Sequence, residues 1–187
     1  MEPRAALAVV LPLLLLLLLL QCSSMSQAKT ACVDVNNNAV DWFIMLKLPV
    51  TKHSKDAGFA AGVGYVYMDA NVPKWRKYVK SLNDSDNPVG LLFQQLQSNA
   101  KSEDFMHILY NDELPEGPTT EHYGHTKGFL GFDRDSGFWL VHSTPKFPGY
   151  TNATYYWPHN GRRNGQSFLC VTYAYSTLGE IATRQLL

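Results

Sequence analysis

The sequence lacks an excess of charge of either sign: 16 Lys and Arg residues balance 16 Asp and Glu residues over 187 positions. A generic basic coat for nucleic acid needs surplus Lys and Arg, so neutrality excludes one near pH 7. The chain also lacks a long membrane span. Its apolar run, Ala5 to Leu20, falls short of the roughly 20 residues a helix needs to cross a bilayer. It has no internal repeat. It has no short ligand spacing of the H-E-x-x-H kind that marks a zinc protease. Aromatics are not lacking, at 12%, and that excludes a disordered chain.

The apolar run follows Arg4 and precedes Gln21, Ser23 and Ser24, with small residues at Ser26 and Ala28. That is the layout of a secretory signal peptide over residues 1–28, with an uncleaved anchor as the alternative. Residues 29–187 would then form one domain, or half of a larger pseudo-symmetric protein. The leader carries one acid and one base, Glu2 and Arg4, so the balance survives its removal. Cysteine is scarce. Of three, Cys22 belongs to the leader, which leaves Cys32 and Cys170 near opposite ends. The secretory route permits a bridge between them; two separate buried thiols are the alternative. Asn83 (N-D-S) and Asn152 (N-A-T) are glycosylation sequons in polar, loop-like sequence.

Patterning predicts about six strands and two helices, an α/β domain with a mixed sheet. Val40 to Leu48, Gly64 to Asp69, Asp104 to Tyr110 and Phe168 to Tyr175 read as strands. Gly128 to Phe132 and Gly137 to His142 read as a hairpin around Asp133-Arg134-Asp135-Ser136. Gly62 and Gly64 suggest a bulge or a close backbone approach. Val89 to Asn99 reads as a helix, with Leu92 and Leu96 on one face. A second helix starts near Gly179, with nothing after it to pack against.

Five of the six histidines lie between His107 and His159. Below about pH 6 they would turn a neutral chain cationic. His122, His125 and His142 could be weighed as metal ligands, but no ligand spacing supports it. His53, His107 and His159 read as structural. The remaining pattern is Gly124-His125-Thr126-Lys127-Gly128. On a strand, residues i and i+2 share a face, so His125 and Lys127 would stand side by side. Histidine can attack phosphorus or move a proton, and lysine can neutralise phosphate oxygens as charge builds. A ribonuclease-like pair of histidines plus a lysine is the competing phosphodiesterase reading. Lys74-Trp75-Arg76-Lys77-Tyr78-Val79-Lys80 interleaves bases with aromatics, as does a backbone-tracking surface or an ordinary solvated face with Trp75 and Tyr78 buried.

Several stretches together resemble deoxyribonuclease II. They are A-V-D-W-F (Ala39 to Phe43), L-Y-N-D (Leu109 to Asp112), Y-G-H-T-K-G (Tyr123 to Gly128), G-F-W-L-V-H-S-T-P-K-F-P (Gly137 to Pro148) and G-R-R-N-G-Q-S (Gly161 to Ser167). The resemblance runs from about Cys32 to the last residue. It implies a lysosomal or secreted acid endonuclease that cuts double-stranded DNA without metal or cofactor and leaves 3′-phosphates. It implies a fold similar to phospholipase D, a pseudo-dimer whose halves each supply an H-x-K motif to one site. On that pattern His125 and Lys127 are the first half's motif, and His142 supplies acid–base support or geometry. His122, Arg162 and Arg163 are expected at the substrate. The phospholipase D pattern places an aspartate where this chain has Phe132, with Asp133 one later, so no acidic partner is assigned. A second H-x-K exists only as His53-Ser54-Lys55, in a polar loop without flanking glycines. The chain is therefore expected to be the first half only, with no membrane contact once the leader is removed. The missing partner would be the other half or a second copy. An inert half that binds DNA or a partner is the non-enzymatic alternative.

Overall fold

A computed structural model describes residues 30–117 and 124–185. The leader, His122 and the last two residues lie outside the described residues. Nine strands are present: β1 (Cys32–Val33), β2 (Ala39–Val40), β3 (Trp42–Lys47), β4 (Tyr65–Asp69), β5 (Arg76–Lys77), β6 (Met106–Asn111), β7 (Lys127–Phe132), β8 (Ser136–His142) and β9 (Gln166–Ala174). The helices are α1 (Ala57–Ala60), α2 (Pro88–Asn99) and α3 (Leu178–Gln185). Seven strands form one sheet in the order β5-β4-β3-β9-β8-β7-β6, and β1 pairs with β2 alone.

The expected mixing of helix and strand is present, but the sheet itself is not mixed. Every pairing within it is antiparallel. The connections explain this. A parallel neighbour needs a crossover, usually helical. The one long helix here, α2, connects β5 to β6, which lie at opposite edges of the sheet. Adjacent strands are instead hairpin-linked, or meet because β9 inserts between β3 and β8.

Strand alternation sets the core. Phe43 and Met45 of β3, Tyr65 and Tyr67 of β4, Phe168 and Cys170 of β9, and Phe138 and Leu140 of β8 are buried. Their intervening neighbours are largely half-buried or exposed. Helix α2 covers the buried face with Val89, Leu92, Phe93 and Leu96. It begins at Asn87, whose side chain accepts from the backbone N–H groups of Val89 and Gly90, and Pro88 occupies the first turn, where no N–H is needed. Helix α3 seats Ile181 on Leu130 and Phe132 across the opposite face.

The β7–β8 hairpin forms where predicted. Asp133 accepts from the N–H groups of Asp135 and Ser136, and Thr30 donates to its second oxygen. Gly62 takes the left-handed conformation (φ 69°), and a Cβ there would lie 2.3 Å from the carbonyl oxygen of Arg162. The close approach expected there is present.

Cys32 and Cys170 form a disulfide that ties β1 to the central strand β9, closing a separation of 138 residues. Closing so long a loop in the unfolded chain is worth about 3–5 kcal/mol in the entropic account. Replacing both cysteines by Ala should lower unfolding stability by about that amount in a urea titration monitored by tryptophan fluorescence.

Candidate active site

The pattern Gly-His-Thr-Lys-Gly lies at the start of β7. His125 and Thr126 precede the strand, and Lys127 opens it. The neighbouring β6 runs antiparallel, with Asn111 registered against Lys127. Asp112, the next residue out of β6, is thereby delivered to the same end of the sheet. Its backbone N–H donates to the Thr126 carbonyl at 3.3 Å. One carboxylate then serves both motif residues. The Lys127 ammonium donates to Asp112 Oδ1, and His125 Nδ1 lies 2.7 Å from Oδ2. Lys127 Nζ is also 3.5 Å from Glu113 Oε1 and 3.4 Å from His125 Nδ1.

Burial divides this trio. The side chains of Lys127 and Asp112 are 2% and 7% exposed, while that of His125 is 78% exposed. Charges that deep are tolerated only when paired. Burial by itself pushes the Asp112 carboxyl up. The hydrogen bonds and charges of Lys127 and His125 outweigh it and hold the group below the usual carboxylate range. Asp112 therefore remains ionised in mild acid. It fixes His125 through Nδ1 and leaves Nε2 as the atom available to a substrate.

His142, the last residue of β8, joins the cluster from the other side. The register Gly128–Val141 places it one step along from Lys127's neighbour. It is 5% exposed and sits among the rings of Phe147, Phe168 and Phe129, at 5.6, 5.8 and 6.3 Å. Burial, and secondarily the Lys127 charge, pushes its imidazole down to about 3. Both effects favour the neutral ring over the imidazolium.

A cleft of about 630 Å³ opens beside these groups. His125, Thr126, Lys127 and His142 line one part, Ile108, Tyr110, Trp139 and Val141 another, and Ala182 and Gln185 of α3 close it. Gly128 is needed for packing here. A Cβ would lie 2.4 Å from Tyr110 Oη and 2.5 Å from the Leu140 carbonyl. Gly124, by contrast, faces open space.

Asp112, Glu113 and His125 place three ligand atoms within 4.8 Å of one another, a spacing a cation could use. Lys127 contacts both carboxylates of that set, so a fixed ammonium already supplies the positive charge.

The other expected residues are placed elsewhere. Arg162 and Arg163 do not line the cleft. Arg162 Nη2 donates to Asn83 Oδ1 at 3.2 Å, and its carbonyl accepts from Lys47 at 2.7 Å. Lys47 is buried with that carbonyl as its partner, and desolvation pushes its ammonium down to about 8. The sequons at Asn83 and Asn152 are both exposed. In the basic-aromatic segment, Arg76 bonds Asp69 at 3.1 Å and lies over Tyr67 and Tyr78, and Lys77 pairs with Asp56 at 2.5 Å. Arg76 and Lys77 are thus held in ion pairs, while Lys74, Trp75, Lys77, Val79 and Lys80 remain exposed. His107 stacks on Phe105 at 6.0 Å.

Asp112 is the residue that sequence reasoning missed. Its search for an acid ran forward from Lys127 to Asp133, which caps the turn at the far end of the hairpin. The available signal was L-Y-N-D itself, a strand ending in a carboxylate next to the strand that carries the motif.

A family model described as Deoxyribonuclease II matches residues 31–187. Among curated relatives, Plancitoxin-1 of Acanthaster planci is 40% identical over 153 residues, 81% of this chain and 43% of the relative. Deoxyribonuclease-2-beta of Homo sapiens is 38% identical over 165 residues, 87% and 45% of the two chains. Deoxyribonuclease-2 of Caenorhabditis elegans is 33% identical, covering 86% and 50%. The chain spans about half the length of the curated relatives it matches or less.

Two measurements check the electrostatics. Asp112→Asn leaves Lys127 only its longer contact with Glu113, and should cost about 3 kcal/mol of stability at pH 7. Because the folded Asp112 value is depressed, that difference should persist at pH 5 and shrink only as pH falls through the folded value. His142 acts in the same direction over a higher pH window. Its unfolded form binds a proton below about 6.5 that the folded form refuses until about 3. Wild-type stability should therefore decline across that window, and His142→Phe should flatten the decline in urea titrations run at successive pH values.

Proposed function

The chain belongs to the deoxyribonuclease II family, and from that membership we propose that it forms the His/Lys half-site of an acid endonuclease acting on double-stranded DNA. The observation that carries the proposal is the pairing of an exposed His125 and a buried Lys127 through a single carboxylate, Asp112. Such a pair suits a phosphodiester. Lys127 and the neutral His142 flank the space where non-bridging oxygens would lie. His125, held at Nδ1, offers Nε2 to the phosphorus or to a transferring proton.

Hydrolysis to a 3′-phosphate requires breaking the bond from phosphorus to the 5′-oxygen. If a histidine nitrogen attacks, a nitrogen–phosphorus bond forms as that bond breaks, and the 5′-oxygen must receive a proton. Water then cleaves the nitrogen–phosphorus bond. In-line displacement puts nucleophile and leaving oxygen on opposite sides of phosphorus, so one imidazole cannot serve both. A second group must face His125 across the substrate. We assign that group to a partner half in a phospholipase D-like pseudo-dimer, or to a second copy of this chain. Lys127 supports metal-independent action, since it provides the charge that a divalent ion otherwise brings to phosphoryl transfer. The leader reading, the disulfide and the two exposed sequons support passage through the secretory pathway to the lysosome.

One observation favours a second reading. Among the described residues, one H-x-K pair alone stands at a carboxylate-paired site. A half-site of that kind binds DNA without cutting it.

Nicking of supercoiled plasmid at pH 5 in EDTA separates the two. The endonuclease reading expects nicks with 3′-phosphate ends, and expects His125→Ala and Lys127→Ala each to reduce the rate about 100-fold or more. Retention of DNA without nicking supports the binding reading. Undiminished nicking by the two variants would sink the site assignment.

A further inference from the structure

His142 differs from His125 in every respect that matters to chemistry, although both line the same cleft. The backbone N–H of Thr144 donates to His142 Nδ1 at 3.1 Å. That contact fixes the tautomer. A nitrogen that accepts a hydrogen bond carries no proton, so the single ring proton of neutral His142 is on Nε2. The same contact opposes protonation. An imidazolium would turn its Nδ1–H toward the Thr144 N–H, leaving two donors facing one another.

The Nε2 end has no partner among the described residues and is buried. Its hydroxyl neighbour two residues on, Thr144 Oγ1, is likewise buried and unpartnered. An orphaned buried donor costs about 1–3 kcal/mol and is uncommon without a purpose. The surroundings define what it can meet. Phe147, Phe168 and Phe129 form the apolar walls, and the charged group acting on the ring is Lys127, across the hairpin. Among the described residues no carboxylate is found against the ring to stabilise an imidazolium. An apolar cage with an ammonium beside it and a free N–H within it suits an anionic oxygen.

We propose that His142 serves as a neutral hydrogen-bond donor, presenting Nε2–H to a non-bridging oxygen of the phosphate that Lys127 holds, and takes no part in proton transfer. The inference rests on the phosphodiester reading above and narrows it. Two of the histidines at one site divide the work. His125 is exposed and free to react or exchange a proton. His142 is a fixed dipole that keeps one state throughout the acid range.

The test reads the ring directly, using inorganic phosphate as probe. Nitrogen-15 spectra of the histidine side chains, recorded on the intact chain between pH 4.5 and 7, should show His142 neutral with its proton on Nε2 throughout. Added phosphate at pH 5 should move the Nε2–H resonance. His142→Gln, which keeps an N–H donor but cannot titrate, should retain phosphate affinity within about threefold. His142→Phe, which keeps the volume and loses the donor, should weaken it about 10-fold or more. An imidazolium at pH 5, a proton on Nδ1, or an Nε2–H resonance indifferent to phosphate would each overturn the proposal. Plasmid nicking distinguishes this from failure of the broader reading. Phosphate response without DNA cleavage leaves the donor role standing and removes the nuclease. Cleavage by a chain whose His142 is charged at pH 5 does the reverse.

Discussion

The Lys127–Asp112 ion pair is the constraint to which the rest of the site answers. Two opposite charges are held almost entirely out of water, and neither is tolerable there without the other. Keeping them together demands a register between β6 and β7 that no one-residue slip preserves. It demands a bare Gly128 so that Tyr110 can cross. It also demands a fixed floor, and Asn111 supplies one. Its side-chain amide donates to the carbonyls of Thr144 and Phe147, which locks the segment after β8 beneath the pair. The positions of His125 and His142 are consequences of that frame.

From the same frame come two imidazoles in opposite surroundings. His125 stands in solvent with an ionised carboxylate at its back. His142 lies among aromatic rings with a backbone N–H at its back. The N–H behind His142 disfavours the charged form of that ring. Chain neighbours of similar type are thereby given different chemistry by what touches the nitrogen away from the cleft.

Much of this was legible from residue order. The β7–β8 hairpin, helix α2 and strands β3, β4, β6 and β9 follow from hydrophobic periodicity and glycine placement, both local signals. His125 and Lys127 were legible from the H-x-K spacing, although only Lys127 lies on the strand and His125 sits at a bend before it. The acidic partner was not, because it comes from a different strand and depends on register, which patterning along one chain does not carry. The burial of His142 was also hidden, since its three aromatic neighbours come from β7, β9 and the loop after β8. Arg162 and Arg163 looked like phosphate ligands by composition. The structure turns Arg162 toward Asn83 because Lys47 takes hold of its carbonyl. The two-residue β5 left no readable pattern, and its pairing is imposed by β4.

Strand β9 fills the centre of the sheet, yet it is the last strand in chain order. A ribosome delivers β3 and β4 on one side, then β6 to β8 on the other, and the two blocks cannot join until residues 166–174 emerge. At roughly 5–20 residues per second, Cys32 waits on the order of ten seconds for Cys170. Throughout that interval its thiol lacks the partner that the finished sheet provides. Correct oxidation is therefore a matter of timing as well as of proximity, and anything that captures Cys32 early withholds the bridge that pins the first strand to the middle of the sheet.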